Sequence, residues 1–162
     1  MGDSITAAGC WNRLFPNVGS RNFGVDGDCS GHLLNRLRPI VEFSPSKLFL
    51  MIGTNDLGRG IPEATIVANV ATILDELKTA IPRCHIHLQT VLPREAIYAA
   101  RVQSLNAHYD KLARARELTM IDLFPAFADD RNALRRELTG DGLHLLEAGY
   151  EIWRALILRF VS

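Results

Sequence analysis

A free serine hydroxyl is a weak nucleophile. It becomes reactive when a base takes its proton and a third group holds that base in place. Ser4 stands in Met1-Gly2-Asp3-Ser4-Ile5-Thr6, a Gly-Asp-Ser triplet followed by a segment of helical character. That puts one hydroxyl on a strand-to-helix turn, open to a base. At the far end, Gly140-Asp141-Gly142-Leu143-His144 offers a carboxylate and an imidazole three residues apart. In a helical segment that spacing is about one turn. In serine-hydrolase roles His144 is the general base and Asp141 its orienter. Plainer readings stand beside these. Serine is a preferred helix N-cap, Asp141 can cap the last helix, and His144 can be a surface residue. Two polar, glycine-containing turns lie between the ends, Asn22-Phe23-Gly24-Val25-Asp26-Gly27-Asp28 and Gly53-Thr54-Asn55-Asp56. Each follows a run that reads as a strand, although Asn and Asp also favour turns for local reasons. The G-x-S-x-G elbow of α/β-hydrolases is absent, because position 6 is Thr.

Taken together and in order, these four stretches resemble blocks I, II, III and V of the SGNH hydrolases, the GDSL-type esterase/lipase superfamily. One block alone is weak. Four in sequence, from Gly2 to the final helix, are specific. The resemblance implies an α/β fold, a three-layer α/β/α sandwich on a flavodoxin-like parallel sheet, in one domain over residues 1–162. It implies Ser4, Asp141 and His144 as the catalytic triad. The oxyanion hole would be the backbone N–H groups of Ser4 and Gly27 and the side-chain amide of Asn55. It implies a small-molecule ester substrate hydrolysed through an acyl-Ser4 intermediate, with no cofactor and no metal. Within the superfamily the chain is similar to carbohydrate O-acetylesterases and platelet-activating-factor acetylhydrolase-like proteins. The expected reaction is therefore removal of a short acyl group, acetyl first, from a sugar, with a short-chain lipid ester or thioester next.

The elements that must position these residues follow from periodicity. Residues 7–17 read as a short helix or loop, 21–25 as a short strand, and 31–42 as a helix N-capped by Ser30 and ended or kinked by Pro39. Lys47–Ile52 is nearly all apolar, as in a parallel strand buried on both faces. Pro62-Glu63 opens the clearest helix, where Pro is favoured. Its stripe of Ile66, Val67, Val70, Ile73, Leu74 and Leu77 has helical spacing. Strands at 84–91 and 118–121 alternate with helices at 98–117, near 131–137, and at 146–161. Such alternation gives a parallel sheet with helices on both faces. Its ligand site lies beyond the carboxyl ends of the strands, where Ser4, Gly27, Asn55 and His144 all fall. In the strand order 2-1-3-4-5 the first strand is central. Only Met1 precedes the Gly-Asp-Ser motif, so the first strand is expected to be truncated.

Composition narrows the classes. Eighteen basic and eighteen acidic residues give zero net charge, which argues against binding nucleic acid through phosphate neutralisation. No apolar run reaches the roughly 18 residues of a membrane span, and the sequence contains no secretory signal, which leaves the compartment open. Cys10, Cys29 and Cys84 read as free thiols. Asp3, Asp26, Asp28 and Asp56 crowd the site edge, so a metal-dependent phosphohydrolase is an alternative. His85 and His87 share a strand face and are given no metal. A non-catalytic, ligand-binding domain of the same fold is the third alternative. Asp3, Arg59 and Arg94 are candidate substrate-binding residues, the arginines because they can pair with an anionic group. Oligomeric state stays open.

Overall fold

The computed structural model describes residues 1–161. The chain starts with two short helices, α1 (Ser4–Ala7) and α2 (Trp11–Leu14), then α3 (Ser30–Leu34) and α4 (Arg38–Phe43). Strand β1 (Lys47–Leu50) is followed by α5 (Thr54–Gly58) and the long α6 (Glu63–Ala80). Strand β2 (His85–Gln89), a 3₁₀ turn at Ala96–Tyr98 and α7 (Ala99–Ala115) come next. Strand β3 (Thr119–Ile121), α8 (Phe124–Phe127), a second 3₁₀ turn at Arg136–Leu138 and α9 (Glu147–Val161) complete the chain. Among the described residues no helix is long and apolar enough to cross a membrane.

The three strands pair in parallel in the order β1-β2-β3. The register sets Leu50 beside Leu88 and Gln89 beside Ile121. Alternate residues of a strand face opposite ways, and β1 shows it. Leu48 and Leu50 join a core with Leu33, Ile73 and Tyr109. Phe49 and Met51 face the other core, which holds Ile5, Phe127 and Trp153. Helices α3, α4, α6 and α7 cover the first face, and α1, α2, α8 and α9 cover the second. The fold is thus the three-layer α/β/α sandwich that the sequence implies.

The sheet extends past β1 by single bridges. Gly2 pairs in parallel with Met51 on one side and with Gly24 on the other. The order is therefore the 2-1-3-4-5 arrangement, with its first two members each reduced to one bridge. Gly2 is wedged there: a Cβ on it would lie 2.2 Å from the Met51 carbonyl oxygen. The strand expected over residues 21–25 contributes only Gly24, because Gly2 is its single rung.

The helix expected over 31–42 is two helices. Pro39 lies in the first turn of α4, where its missing N–H costs nothing. It starts a helix there and does not end one. Ser30 opens α3 behind Cys29 as the N-cap, and its hydroxyl serves Asp56. The stripe of α6 holds: Ile66, Val70, Ile73, Leu74 and Leu77 are buried. Around 131–137 the helix is a 3₁₀ turn shifted to 136–138.

Candidate active site

Ser4 is the first residue of α1, directly after the Gly2 bridge. Asp3 N-caps the turn, its Oδ1 accepting the Ile5 N–H at 3.0 Å. Several contacts fix α1 from above. The Tyr150 hydroxyl donates to the Ile5 carbonyl at 2.8 Å. Trp11 Nε1 donates to the Thr6 carbonyl at 2.8 Å. Asn22 Nδ2 donates to the carbonyls of Thr6 and Ala7 at 3.0 and 2.9 Å, while its Oδ1 accepts the Gly24 N–H. A Cβ on Gly24 would lie 2.3 Å from the Ala7 nitrogen, so only glycine lets this loop lie against the serine turn.

The Ser4 Oγ lies 3.0 Å from His144 Nε2, across 140 residues of sequence. His144 Nδ1 lies 2.7 Å from Asp141 Oδ2. The other oxygen of Asp141 accepts the backbone N–H groups of Leu143 and His144 at 2.9 and 2.8 Å. The bond from His144 and these two amides hold the Asp141 carboxyl well below the usual carboxylate range. It stays ionised and fixes the proton on Nδ1, leaving Nε2 free to accept from Ser4. The Asp141–His144 segment is an irregular turn, not helix. Gly142 has a positive φ of 82°, and its N–H donates to the Thr139 hydroxyl at 2.9 Å. The Asp141 and His144 side chains are both about half exposed.

Gly27 sits on the loop before α3, and Asn55 lies in the first turn of α5 beside it. The Asn55 Nδ2 donates to the Asp28 carbonyl at 3.0 Å, which ties its amide to the loop that holds Gly27. Gly27 has a φ of 74°, a conformation that favours glycine. Among the described residues, the N–H groups of Ser4 and Gly27 donate to no protein acceptor. The loops are braced from below. Arg36 donates to Asp28 Oδ2 at 2.6 Å and to the carbonyls of Gly2 and Phe23 at 3.1 Å. One side chain thereby ties the serine turn to the neighbouring loop. Asp56, wholly buried, accepts the Ser30 N–H and hydroxyl, and Asn69 donates to that hydroxyl in turn.

The candidate substrate-binding residues divide. Asp3 is 1% exposed and spent on its cap, so it does not reach a substrate. Burial pushes its carboxyl up to about 6. Arg94 is also buried. It donates to the Thr54 carbonyl at 2.9 Å and to Glu95, and its guanidinium lies 3.9 Å from the Tyr98 ring centre. It is a brace between loops, not a ligand. Arg59 is exposed, and it donates to the Gly27 carbonyl at 3.1 Å from the rim. Sequence reasoning missed Arg36, Tyr150 and Thr139. Tyr150 and Thr139 act through a backbone carbonyl and backbone amides, and Arg36 through two carbonyls besides the Asp28 carboxylate, and such backbone contacts leave no spacing signal. Among the described residues, no three His, Cys, Asp or Glu side chains gather to hold a metal. Asp28 and Asp56 are committed to Arg36 and Ser30. His85 is exposed, whereas His87 is buried and stacked on Phe49.

A serine, an imidazole and an ionised carboxylate in hydrogen-bonded series, at the carboxyl edge of a parallel sheet, define a serine-hydrolase type of site. Residues 1–152 match the model of the GDSL-like lipase/acylhydrolase family, and the chain belongs to that family. It is 25% identical over 154 residues to the platelet-activating factor acetylhydrolase IB subunit alpha1 of Bos taurus, covering 90% of this chain and 65% of that protein. The chain thus spans slightly less than two thirds of that relative's length. A structure of a putative platelet activating factor from Streptococcus pneumonia superposes with a TM-score of 0.90 at 28% identity, covering 99% of this chain and 81% of that one. The acetylxylan esterase Axe2 of Geobacillus stearothermophilus shares the fold, with a TM-score of 0.84 at 20% identity over 99% of this chain and 91% of that one.

Proposed function

We propose that this chain is a serine esterase that removes short acyl groups, acetyl above all, from a polar alcohol such as a sugar, through an acyl-Ser4 intermediate. The observation that carries the reading is the unbroken series Ser4 Oγ, His144, Asp141, at 3.0 and 2.7 Å. In the first half-reaction Ser4 Oγ attacks the ester carbonyl as His144 Nε2 takes its proton. Charge on the carbonyl oxygen develops against the N–H groups of Ser4 and Gly27 and the amide of Asn55. Collapse expels the alcohol, which receives the proton from His144. Water then attacks the acyl-enzyme with His144 again as base, and Ser4 is regenerated.

The surroundings support a short acyl group and a polar alcohol. Asp141 and His144 are half exposed, so the triad lies on an open edge. Arg59 stands on its rim, and Glu95 lies against Gly142. A polar alcohol suits such a rim better than an aliphatic one. The bovine relative, a platelet-activating factor acetylhydrolase subunit, favours a second reading, an acetyl ester of a lipid alcohol. The test is hydrolysis of p-nitrophenyl acetate, butyrate and octanoate by the wild type and by Ser4→Ala, with and without a chelator. Acetate hydrolysis that survives chelator, falls with acyl length and disappears in Ser4→Ala is the expected result. Activity lost to the chelator alone would overturn the serine mechanism and favour the metal-dependent phosphohydrolase. A folded but inactive wild type would favour a ligand-binding domain. Acetylated xylo-oligosaccharides against an acetylated glycerolipid then separate the sugar from the lipid.

A further inference from the structure

The rim of the site carries a carboxylate that the triad chemistry does not use. Glu95 lies on the loop after β2, and its side chain is 45% exposed. A Cβ on Gly142 would lie 3.1 Å from Glu95 Cγ and 3.8 Å from its carboxyl carbon. Gly142 stands between Asp141 and His144 in the chain, and the Asp141 charge acts on Glu95. The Glu95 carboxylate is therefore packed against the turn that holds two members of the triad.

Its orientation is set from behind. Arg94 Nε donates to Glu95 Oε2 at 2.8 Å. Arg94 is itself 7% exposed, fixed by its bond to the Thr54 carbonyl and by the face of the Tyr98 ring. Thr54 immediately precedes Asn55. One buried guanidinium thus links the element that carries Asn55 to the carboxylate beside the triad turn. The bond from Arg94 holds the Glu95 carboxyl below the usual carboxylate range, against the charge of Asp141. Glu95 opens the 3₁₀ turn Ala96–Tyr98, yet its side chain does not cap it. Among the described residues, Glu95 Oε1 has no hydrogen-bond partner.

A carboxylate oxygen only accepts hydrogen bonds. Arg94 already balances the charge of Glu95, so what stays open is a directional lone pair more than a negative field. An acceptor held in one place by a buried partner also loses little rotamer freedom when a ligand arrives. We propose that Glu95 is a specificity-determining residue for the alcohol half of the ester, its Oε1 accepting a free hydroxyl of a sugar or other polyol. The inference rests on the esterase reading above and adds to it the group that selects the alcohol. Glu95 holds the leaving alcohol and takes no part in moving the acyl group or the proton.

The experiment measures kcat/KM with two esters that share the acetyl group. One is p-nitrophenyl acetate, which has no hydroxyl, and the other is a methyl xyloside with one acetyl group and two free hydroxyls. The readout is the ratio of the second to the first. Glu95→Ala should lower the ratio about ten- to a hundredfold, chiefly through KM for the xyloside. Glu95→Gln keeps an acceptor oxygen and the bond from Arg94, and should lower it less. Methylating the two free hydroxyls should cost the wild type a similar factor and cost Glu95→Ala nothing further. With an active wild type, an unchanged ratio in Glu95→Ala would overturn the proposal alone. So would equal losses on both esters, which would make Glu95 a brace of the Asp141 turn. A larger loss on acetylcholine than on the xyloside would overturn it as well and make Glu95 the partner of a cation. A wild type that hydrolyses only p-nitrophenyl acetate would overturn the polar-alcohol reading together with the proposal, and one inactive on both esters would overturn the esterase reading itself.

Discussion

At the scale of single residues, Asp141 carries the clearest electrostatic signature. Its carboxylate is fixed by His144 Nδ1 and by the amides of Leu143 and His144, and these bonds hold it ionised far into the acid range. Asp141→Asn keeps the size and the amide contacts but offers the imidazole an amide in place of a charge. The wrong tautomer then faces Ser4, and kcat is expected to fall by about 10³–10⁴ while KM for p-nitrophenyl acetate changes little. Steady-state kinetics separate the two parameters, and a loss confined to KM would remove Asp141 from the orienter's role. Asn55 makes a different case. Its amide is tied to the Asp28 carbonyl through Nδ2, and in the proposed oxyanion-hole role it acts on charge that exists only in the transition state. Asn55→Ala is expected to lower kcat by about 10²–10³, again with KM near its original value. Ser4 and His144 were legible as a pair because the chemistry restricts the residue types. Asp3 and Arg94 were misread because residue type alone does not reveal burial. A carboxylate next to a nucleophile and an arginine after a strand look like ligands until both prove to be spent on the backbone.

At the scale of elements, the serine turn is only four residues long, too short to persist unaided. Its rigidity is borrowed. Asn22 satisfies the carbonyls of Thr6 and Ala7 at the end of α1, and Tyr150 of α9 satisfies Ile5. Asn22→Ala removes both donors at once and is expected to destabilise the fold by about 1–3 kcal/mol, measured by urea unfolding. Esterase activity should fall with it, because Ser4 shifts relative to His144 even in the folded fraction. A variant with lowered stability and full activity at a temperature where it remains folded would show that the turn holds itself. The elements also mark how far sequence reasoning reaches. Helix α6 was readable because its stripe and its opening Pro62 agree. The 31–42 segment was misread because Pro39 has two positional meanings, stop and start, and the spacing of Leu33, Leu34 and Leu37 does not distinguish them. The stretch 21–25 has strand-like composition but pairs only at Gly24, since its partner is the two-residue line of Met1 and Gly2. Pairing of that kind depends on another segment and has no local signature.

At the scale of the whole molecule, two buried groups at the head of the chain make stability depend on pH in opposite directions. Burial, with Arg36 nearby, lowers the Met1 amino group from 8.0 to about 5. Burial raises the Asp3 carboxyl from 3.8 to about 6. Between pH 5 and 8 the unfolded chain holds a proton on the amine that the folded chain has released, so stability rises with pH across that window. The whole rise amounts to about 4 kcal/mol at most. Between pH 4 and 6 the folded chain holds a proton on Asp3 that the unfolded chain has lost, so stability falls as pH rises there, by about 3 kcal/mol at most. The two contributions oppose each other near pH 5–6 and leave a minimum there, with the amine's gain complete by about pH 8. Acetylating the Met1 nitrogen removes the charge while keeping the N–H that donates to Phe49. The expected result from urea unfolding at pH 4 to 8.5 is that the acetylated chain loses the rise between pH 5 and 8 and keeps the fall between pH 4 and 6. An unchanged rise would mean that the amine is solvated in solution, and that the Met1 rung beside Phe49 is not held. The bond from Met1 to Phe49 would then be lost, and the place of Ser4 beside His144 would rest on Trp11, Asn22, Tyr150 and Arg36 and on the Gly2 bridges.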